Sequence, residues 1–418
     1  MTISALTGWF KDKGITSDRL LFYAFMGVFF SMPLGTSPPT ICGILAALIW
    51  ILSGKAFKLK QTCLVQSWFW PVLLLIVLPW VGLLYAPDPA GLGIKFAKKT
   101  HYWVYCMAIA SISFKLFSPQ RFIQAFLLGL AFNAFVGALQ FAGLFPIVEQ
   151  VLKGRYSGFG LQYSTLSAYL VVGILMASYY FKQASEKKPR IFFVFLLLLY
   201  FFHLIILEGR AGYLAFFLLC PLVVHNLFKK FSVLKVSLAC ILVLGCMLLS
   251  PVVRDRVSLS IDQVKYHLNS DPQKAWGREY TKNQDRFSMW YSAVRIFSEH
   301  PIIGVGTGGY QTFVKKIMGP KWPIISHPHN NFLHVAVSFG VIGIFALAWF
   351  FWEIIKNAWR ERHSPVGFFV LSTALVIFTS GLVNTQIRDA GTLLLLAVVT
   401  GLQNTFQRFQ AQDDELTR

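Results

Sequence analysis

Apolar runs long enough to cross a membrane recur from one end of this chain to the other, and they leave the backbone few options. Hydrocarbon offers amide groups no hydrogen bonds, so such runs must satisfy themselves as helices rather than open strands. Each can traverse a hydrocarbon core of about 30 Å. Twelve segments of this kind are expected, near 20–35, 40–53, 68–86, 100–115, 121–144, 161–182, 191–207, 211–228, 234–250, 331–356, 365–384 and 390–406; the second and twelfth are short. Charge agrees with this pattern. Of 418 residues 13% are charged and 56% hydrophobic, and the mean hydropathy is +0.58, whereas a soluble protein carries about twice that charged fraction. The 40 Phe and 12 Trp suit a lipid-facing surface and its interfaces. The first run lacks a small-residue cleavage site and many spans follow it, so it is not read as a cleaved signal peptide. The expected fold is all-α: a polytopic membrane protein with about 12 transmembrane helices and one large helical loop.

Loop charges orient the chain. With the N-terminus in the cytoplasm, the inside segments hold Lys11, Lys13 and Arg19; Lys55, Lys58 and Lys60; Lys115 and Arg121; Lys182, Lys187, Lys188 and Arg190; Lys229, Lys230 and Lys235; and Lys356, Arg360 and Arg362. The outside loop Gly35–Thr40 has no basic residue, and those at 207–211 and 385–390 have one each, Arg210 and Arg388. Both termini are therefore expected in the cytoplasm. The net charge of +20 reflects this orientation signal and the large loop; no compact basic domain or recognition motif makes it a nucleic-acid footprint. The cysteines, Cys42, Cys63, Cys106, Cys220, Cys240 and Cys246, avoid the large outer loop and form no CxxC pair, so they read as apolar filler.

Hydropathy breaks once, over residues 251–330. The chain divides accordingly into nine helices over 1–250, an outer loop domain over 251–330, and three helices with a cytoplasmic tail over 331–418. Asp255–Leu268 and Asp285–Ser298 read as amphipathic helices, the second with an apolar face of Phe287, Trp290, Tyr291, Val294 and Phe297. Glu299, His300 and Pro301 should end that helix, and Gly304–Gly309 reads as a flexible turn. Such a loop suits a lid on the outer membrane interface.

Basic residues on the outside run against the orientation rule, so each needs a reason. Arg155 sits in GRYSGFG, Arg210 in LEGRAG and Arg286 in QDRF. An arginine fork matches phosphate oxygens, which suggests an outward site for a phosphate-bearing lipid; local pairing, Glu208 with Arg210 or Asp285 with Arg286, is the alternative. Lys98 and Lys99 begin a span on the same side, where snorkelling would also explain them. The second constellation is SHPHNNFLH, Ser326–His334. His327, His329 and His334 have no HExxH pattern, Cys or carboxylate nearby to complete a metal site. An imidazole there suits a general base for a sugar hydroxyl, or histidines that merely hydrogen-bond at the interface. The glycine stretch follows no strand and is not a nucleotide fingerprint. There is no P-loop, and no broken-helix inverted repeat of the transporter kind.

Four stretches together resemble the O-antigen ligase and polymerase superfamily: GRYSGFGLQYSTLSAYL (154–170), LEGRAGYLAFF (207–217), QDRFSMWYSAVRIFSEHPIIGVGTGGYQTF (284–313) and HPHNNFLHVAVSFGVIGIFALAWFF (327–351). The last two are specific in combination; the first two are weak alone. The resemblance implies a multispanning fold in the bacterial inner membrane with a long periplasmic loop. It also implies transfer of a glycan from undecaprenyl pyrophosphate to lipid A–core, with membrane lipids and those two substrates as partners. By position, His329 matches the family's essential histidine, Arg210 and Arg286 its essential arginines, and Arg155 a less constant one. His327, Asn330, Lys98 and Lys99 are candidates for supporting roles. Many relatives carry a Glu shortly before the glycine of the re-entering helix; here Ser338, Phe339 and Gly340 occupy that place, so no carboxylate role is assigned. Because the donor carries its own leaving group, no cofactor or metal is implied, and attack opposite that group would invert the anomeric centre. A polymerase of the same superfamily and a protein O-oligosaccharyltransferase are the alternatives. A lipid-linked glycan transporter, from another class, would want charges lining the spans, whereas the informative charges here cluster at one face.

Overall fold

The structure, a computed structural model, describes residues 16–114, 117–147, 156–228, 233–269, 286–319 and 325–403. Among these residues it is helical throughout, with no strand. Each of the twelve expected segments contains a helix. In chain order they are α1 (Ser17–Ser31), α2 (Ser37–Leu52), α3 (Phe69–Val81), α4 (Tyr102–Ala110), α5 (Gln120–Phe141), α6 (Tyr163–Gln183), α7 (Lys187–Ile206), α8 (Arg210–Leu227) and α9 (Val233–Leu249). Within 251–330 follow α10 (Pro251–Asn269), α11 (Arg286–Glu299) and α12 (Tyr310–Met318), and after them α13 (Asn331–Arg360), α14 (Pro365–Ser380) and α15 (Ala390–Gly401). The two amphipathic helices thus fall where the sequence placed them.

Length separates these helices into groups. Five, α5, α6, α7, α8 and α13, are long and apolar enough to cross a membrane, and there are up to seven spans if two sharply bent pairs each count once. The remaining segments are shorter: the nine residues of α4 rise only about 14 Å at 1.5 Å per residue. One bent pair is α9 and α10, which meet at 98° around Ser250 and Pro251. Proline is accommodated at a first helical position but cannot continue the preceding hydrogen-bond ladder. The chain therefore turns from an apolar helix into an amphipathic one.

At the centre lies α6, which packs against α7, α8 and α14 and is buried along nearly its whole length. Small residues allow this closeness. A Cβ on Gly173 would lie 2.5 Å from Leu130, and Cβ atoms on Gly209 and Gly212 would lie 2.5 and 2.4 Å from the Cβ of Ser167. The two glycines that flank Arg210 in LEGRAG therefore let the start of α8 press on the start of α6, and Arg210 is fixed beside it.

Gly340 breaks α13, with φ 62° and ψ −150°. A break frees backbone groups, and unpaired amides inside a membrane cost several kcal/mol each. Here the glycine-rich stretch supplies the partners. Val305 N donates to Val337 O at 2.8 Å, Gly306 N to Ser338 O at 3.0 Å, and Val341 N donates to Pro301 O at 2.8 Å. Gly304, Gly306 and Gly308 all have positive φ, and a Cβ on Gly304 would sit 2.4 Å from Val337 O. Gly304–Gly309 is thus a packed brace and not the flexible turn expected. The sequence also gave no sign of a broken helix, and α13 is one. The lid needs the same revision: Val305, Tyr310, Met289, Ala293 and Ile296 form a small core with Val337 of α13, so this part of the loop is packed into the bundle.

The buried face of α11 is Ser288, Met289, Ser292, Ala293 and Ile296. The apolar face read from the sequence is split: Trp290 packs against the small core around Met289, whereas Tyr291 is 40% and Val294 54% exposed. In a membrane protein apolarity does not mark the inside, because lipid is as apolar as a core; small residues mark the helix contact.

Candidate active site

The starts of α6, α8 and α11, the segment 325–330 and the turn 384–389 converge on a cavity of about 450 Å³. Arg210, Arg286, His327, His329 and Lys99 all line it, although they lie far apart in the chain. Lys98 does not join them: its side chain is exposed and points elsewhere. Arg155 lies outside the described residues.

His329 is held in an unusual way. It has φ 50° and is the one non-glycine residue with positive φ among the described residues. Such a backbone costs on the order of 1–3 kcal/mol and persists only where its surroundings impose it. On the N-terminal side Pro328 restricts the chain. On the other, Asn330 caps α13, its Oδ1 accepting from Phe332 N at 2.8 Å and Leu333 N at 3.0 Å while its Nδ2 donates to Leu382 O at 2.8 Å. Both ends of the Asn330 side chain are therefore engaged in holding the backbone, which makes its role one of positioning. Asn331, which sequence reasoning passed over, is fully buried. Its backbone N donates to Gly381 O at 2.7 Å and its Oδ1 accepts from Ile387 N at 3.1 Å, tying the histidines to the turn after α14. Two consecutive asparagines at a helix start were the available signal.

The imidazole is oriented as well as placed. His329 Nδ1 lies 3.1 Å from Asn384 Oδ1. With that oxygen accepting, Nδ1 carries the proton and Nε2 keeps its lone pair. The His327 ring lies tilted against it, 4.2 Å between ring centroids, and its Nδ1 accepts from His329 N at 3.3 Å. Burial lowers the pKa of His329 to about 4; Asn384 opposes the shift, and Arg286 and Arg210 reinforce it. At neutral pH the ring is uncharged and able to accept a proton.

The arginines remain available for a ligand. Glu208 pairs with Arg256 of α10, not with Arg210 as the local-pairing alternative required. Neither Arg210 nor Arg286 has a carboxylate partner among the described residues, and Asp285, the partner considered for Arg286, lies outside them. Burial first, and then the neighbouring Arg210, hold the Arg286 guanidinium at about 10, which still leaves it a full cation. Both arginines also line an apolar groove of about 500 Å³ formed with α8, α9 and α10, through residues such as Phe217, Met247, Val257 and Ile261.

The turn after α14 contributes residues that sequence reasoning did not propose. Asn384, Arg388 and Asp389 line the cavity. Lys99 Nζ donates to Arg388 O at 2.7 Å. Asp389 caps α15, accepting from Gly391 N at 3.2 Å, and also accepts from Thr165 Oγ1 at 2.5 Å and Ser164 Oγ at 3.3 Å. The cavity thus sets four cations against two carboxylates, a surplus suited to anions. His334 is turned away: it lies against Phe96 in a separate inner cavity of about 90 Å³. Among the described residues no three His, Cys, Asp or Glu side chains form a group that could hold a metal.

A helical membrane protein whose cationic, histidine-bearing cavity opens beside an apolar groove is the class that fold and site define. Residues 193–348 match the family model described as O-antigen ligase, and this supports the chain's membership of the O-antigen ligase/polymerase superfamily. No curated protein matches the chain. The matched range takes in Arg210, Arg286, His327 and His329 but ends before Asn384 and Arg388.

Proposed function

We propose that this protein is an O-antigen ligase, moving a glycan from undecaprenyl pyrophosphate to lipid A–core on the periplasmic face of the inner membrane. The observation that carries the proposal is the position of Arg210 and Arg286. With no carboxylate partner among the described residues, they stand where a polar cavity holding His329 meets an apolar groove, which suits a phosphate-bearing lipid with its tail in the groove. The excess of Lys and Arg in the loops on the opposite side supports the orientation and cytoplasmic termini.

In this reaction His329 Nε2 takes the proton of an acceptor hydroxyl as its oxygen attacks the anomeric carbon. The bond between that carbon and the pyrophosphate oxygen breaks, and undecaprenyl pyrophosphate leaves with the electron pair. Arg210 and Arg286 bear on the charge that develops on the leaving oxygens, an effect worth about 2.7–4 kcal/mol per donor in comparable sites. Donor binding also tunes the base. The two arginines depress the basicity of His329, and a pyrophosphate lying on them offsets that effect. The imidazole becomes a stronger base once the donor is in place. In-line attack inverts the anomeric centre, and a product with retained configuration would remove this part of the mechanism.

The test is the lipopolysaccharide banding of a strain lacking the gene, beside one expressing His329→Ala. The proposal expects lipid A–core with no repeats attached and polymer left on undecaprenyl pyrophosphate. Core bearing a single repeat would instead identify a polymerase, and an unchanged ladder would point to a protein glycosyltransferase or a transporter.

A further inference from the structure

The cavity has two cationic ends. Arg210 and Arg286 also line the outer apolar groove, Lys99 and Arg388 also line the small inner cavity, and groove and inner cavity share no residue. Lys99 and Arg388 are therefore set apart from the pair assigned to the pyrophosphate.

This second pair has too little to neutralise it. Neither side chain is in an ion pair among the described residues. Lys99 gives one hydrogen bond, to Arg388 O. The Arg388 guanidinium lies 3.8 Å from the centroid of Phe96 and donates from Nη1 to Ser326 Oγ at 2.9 Å, while its Nε is buried with no partner. Asp389 is adjacent and its charge favours both cations, but its own hydrogen bonds come from Thr165, Ser164 and Gly391 N, so one carboxylate stands beside two cations. Burial holds Arg388 at about 10, with Asp389 pulling the other way; it is a cation at any physiological pH. Two desolvated cations beside one carboxylate leave a positive charge unmatched, which is expensive. The donor does not supply the missing counter-ion, because a pyrophosphate esterified at both ends carries about two negative charges, which Arg210 and Arg286 match. One other molecule enters during transfer, the acceptor.

We propose that Lys99 and Arg388 form an acceptor subsite that takes a phosphate or carboxylate group carried by the acceptor saccharide close to its accepting hydroxyl. This rests on the glycosyl-transfer reading above. The geometry favours it in a second way: Asn384, which orients His329, precedes Arg388 by one short turn. The same segment would position both the base and the anion of the molecule to be deprotonated. An arginine fork beside a lysine point charge suits either oxyanion.

The experiment uses the full chain in lipid vesicles with an undecaprenyl-pyrophosphate-linked glycan and three acceptors: native lipid A–core, the same core stripped of phosphate, and the same core with its carboxylates reduced. One of the stripped acceptors should show KM raised tenfold or more with donor KM unchanged, and which one identifies the anion. Arg388→Gln and Lys99→Gln should raise KM for the native acceptor toward that of the stripped one, and leave KM for the stripped one where it was. Equal use of all three acceptors by the wild-type protein overturns the subsite, and because that arm needs no variant, a misfolded Arg388→Gln does not obscure it. In that event a loss of transfer in Arg210→Gln would leave the glycosyl-transfer reading standing. Absence of transfer to every acceptor overturns that reading and this inference with it.

Discussion

Two short segments meet α13, one packed against its break and one leading into its start, and they use their unusual backbones to opposite ends. Pro301–Gly309 has glycines at positive φ and looks, in sequence, like a mobile or ligand-binding loop. Its Val305 and Gly306 amides go to Val337 O and Ser338 O of the broken helix, its Pro301 O takes the Val341 amide, and Thr307 N donates to Gly82 O at 3.2 Å. Ser326–Asn331 holds a single strained residue, His329, beside arginines that have no carboxylate partner among the described residues. The difference lies in what is left over. Where every polar group is answered by the protein, the strain serves the scaffold; where charges and an imidazole lone pair face a cavity unanswered, the strain positions chemistry.

That contrast can be broken experimentally. The largest effect belongs to His329→Ala, expected to lower transfer by about 10²–10⁴-fold, the span of general-base catalysis, with membrane insertion unchanged. Full activity of purified His329→Ala would remove the base assignment. Arg210→Gln or Arg286→Gln should follow, with a loss of about 10²–10³-fold read in single-turnover rates at saturating donor. Gly340→Val inverts the pattern. Its Cβ would lie 2.2 Å from Ile302 O, so the yield of folded protein should fall sharply, while the specific activity of what folds stays within about two- to threefold of the wild type. A well-folded but inactive Gly340→Val would show that the brace takes part in the chemistry after all.

Two smaller effects sharpen the account. Asn384→Ala leaves His329 in place but unoriented, and should reduce kcat by about 10–100-fold, the scale of losing a partner that orients a functional histidine. The pH dependence follows from the sign of the His329 shift. Its neutral form is the base, so kcat/KM rises with pH through about 4 and is level above it. At pH 5.5 the rate should stay close to its pH 7 value, whereas a histidine at the ordinary value of about 6.5 would have lost about nine-tenths of it. An acid limb near 6.5 would show that burial and the arginines do not act on the imidazole as described.

Much of the fold was legible because hydropathy and helix geometry act locally. A helix falls within each of the twelve apolar segments, and the two amphipathic helices lie where periodicity put them. The convergence of Arg210, Arg286 and His329 was legible only through the resemblance, since no local rule brings α8, α11 and the start of α13 together. Asn384 and Arg388 were missed because each matters through a partner far away in the chain: Asn384 through His329, 55 residues earlier, and Arg388 through Lys99, 289 residues earlier. The apolar face of α11 left its direction open for a different reason, that lipid and protein interior attract the same side chains. The glycine stretch misled because positive φ marks a close backbone approach and does not say whether the approaching backbone belongs to a ligand or to another helix.

The most direct test of the central claim is transfer by the purified protein alone. Given an undecaprenyl-pyrophosphate-linked glycan and lipid A–core in vesicles, without nucleotide, the wild-type protein should release undecaprenyl pyrophosphate and extend the core by the whole glycan, and His329→Ala should do neither. Glycan joined only to a second lipid-linked glycan, or no transfer by the wild-type protein, would contradict the account.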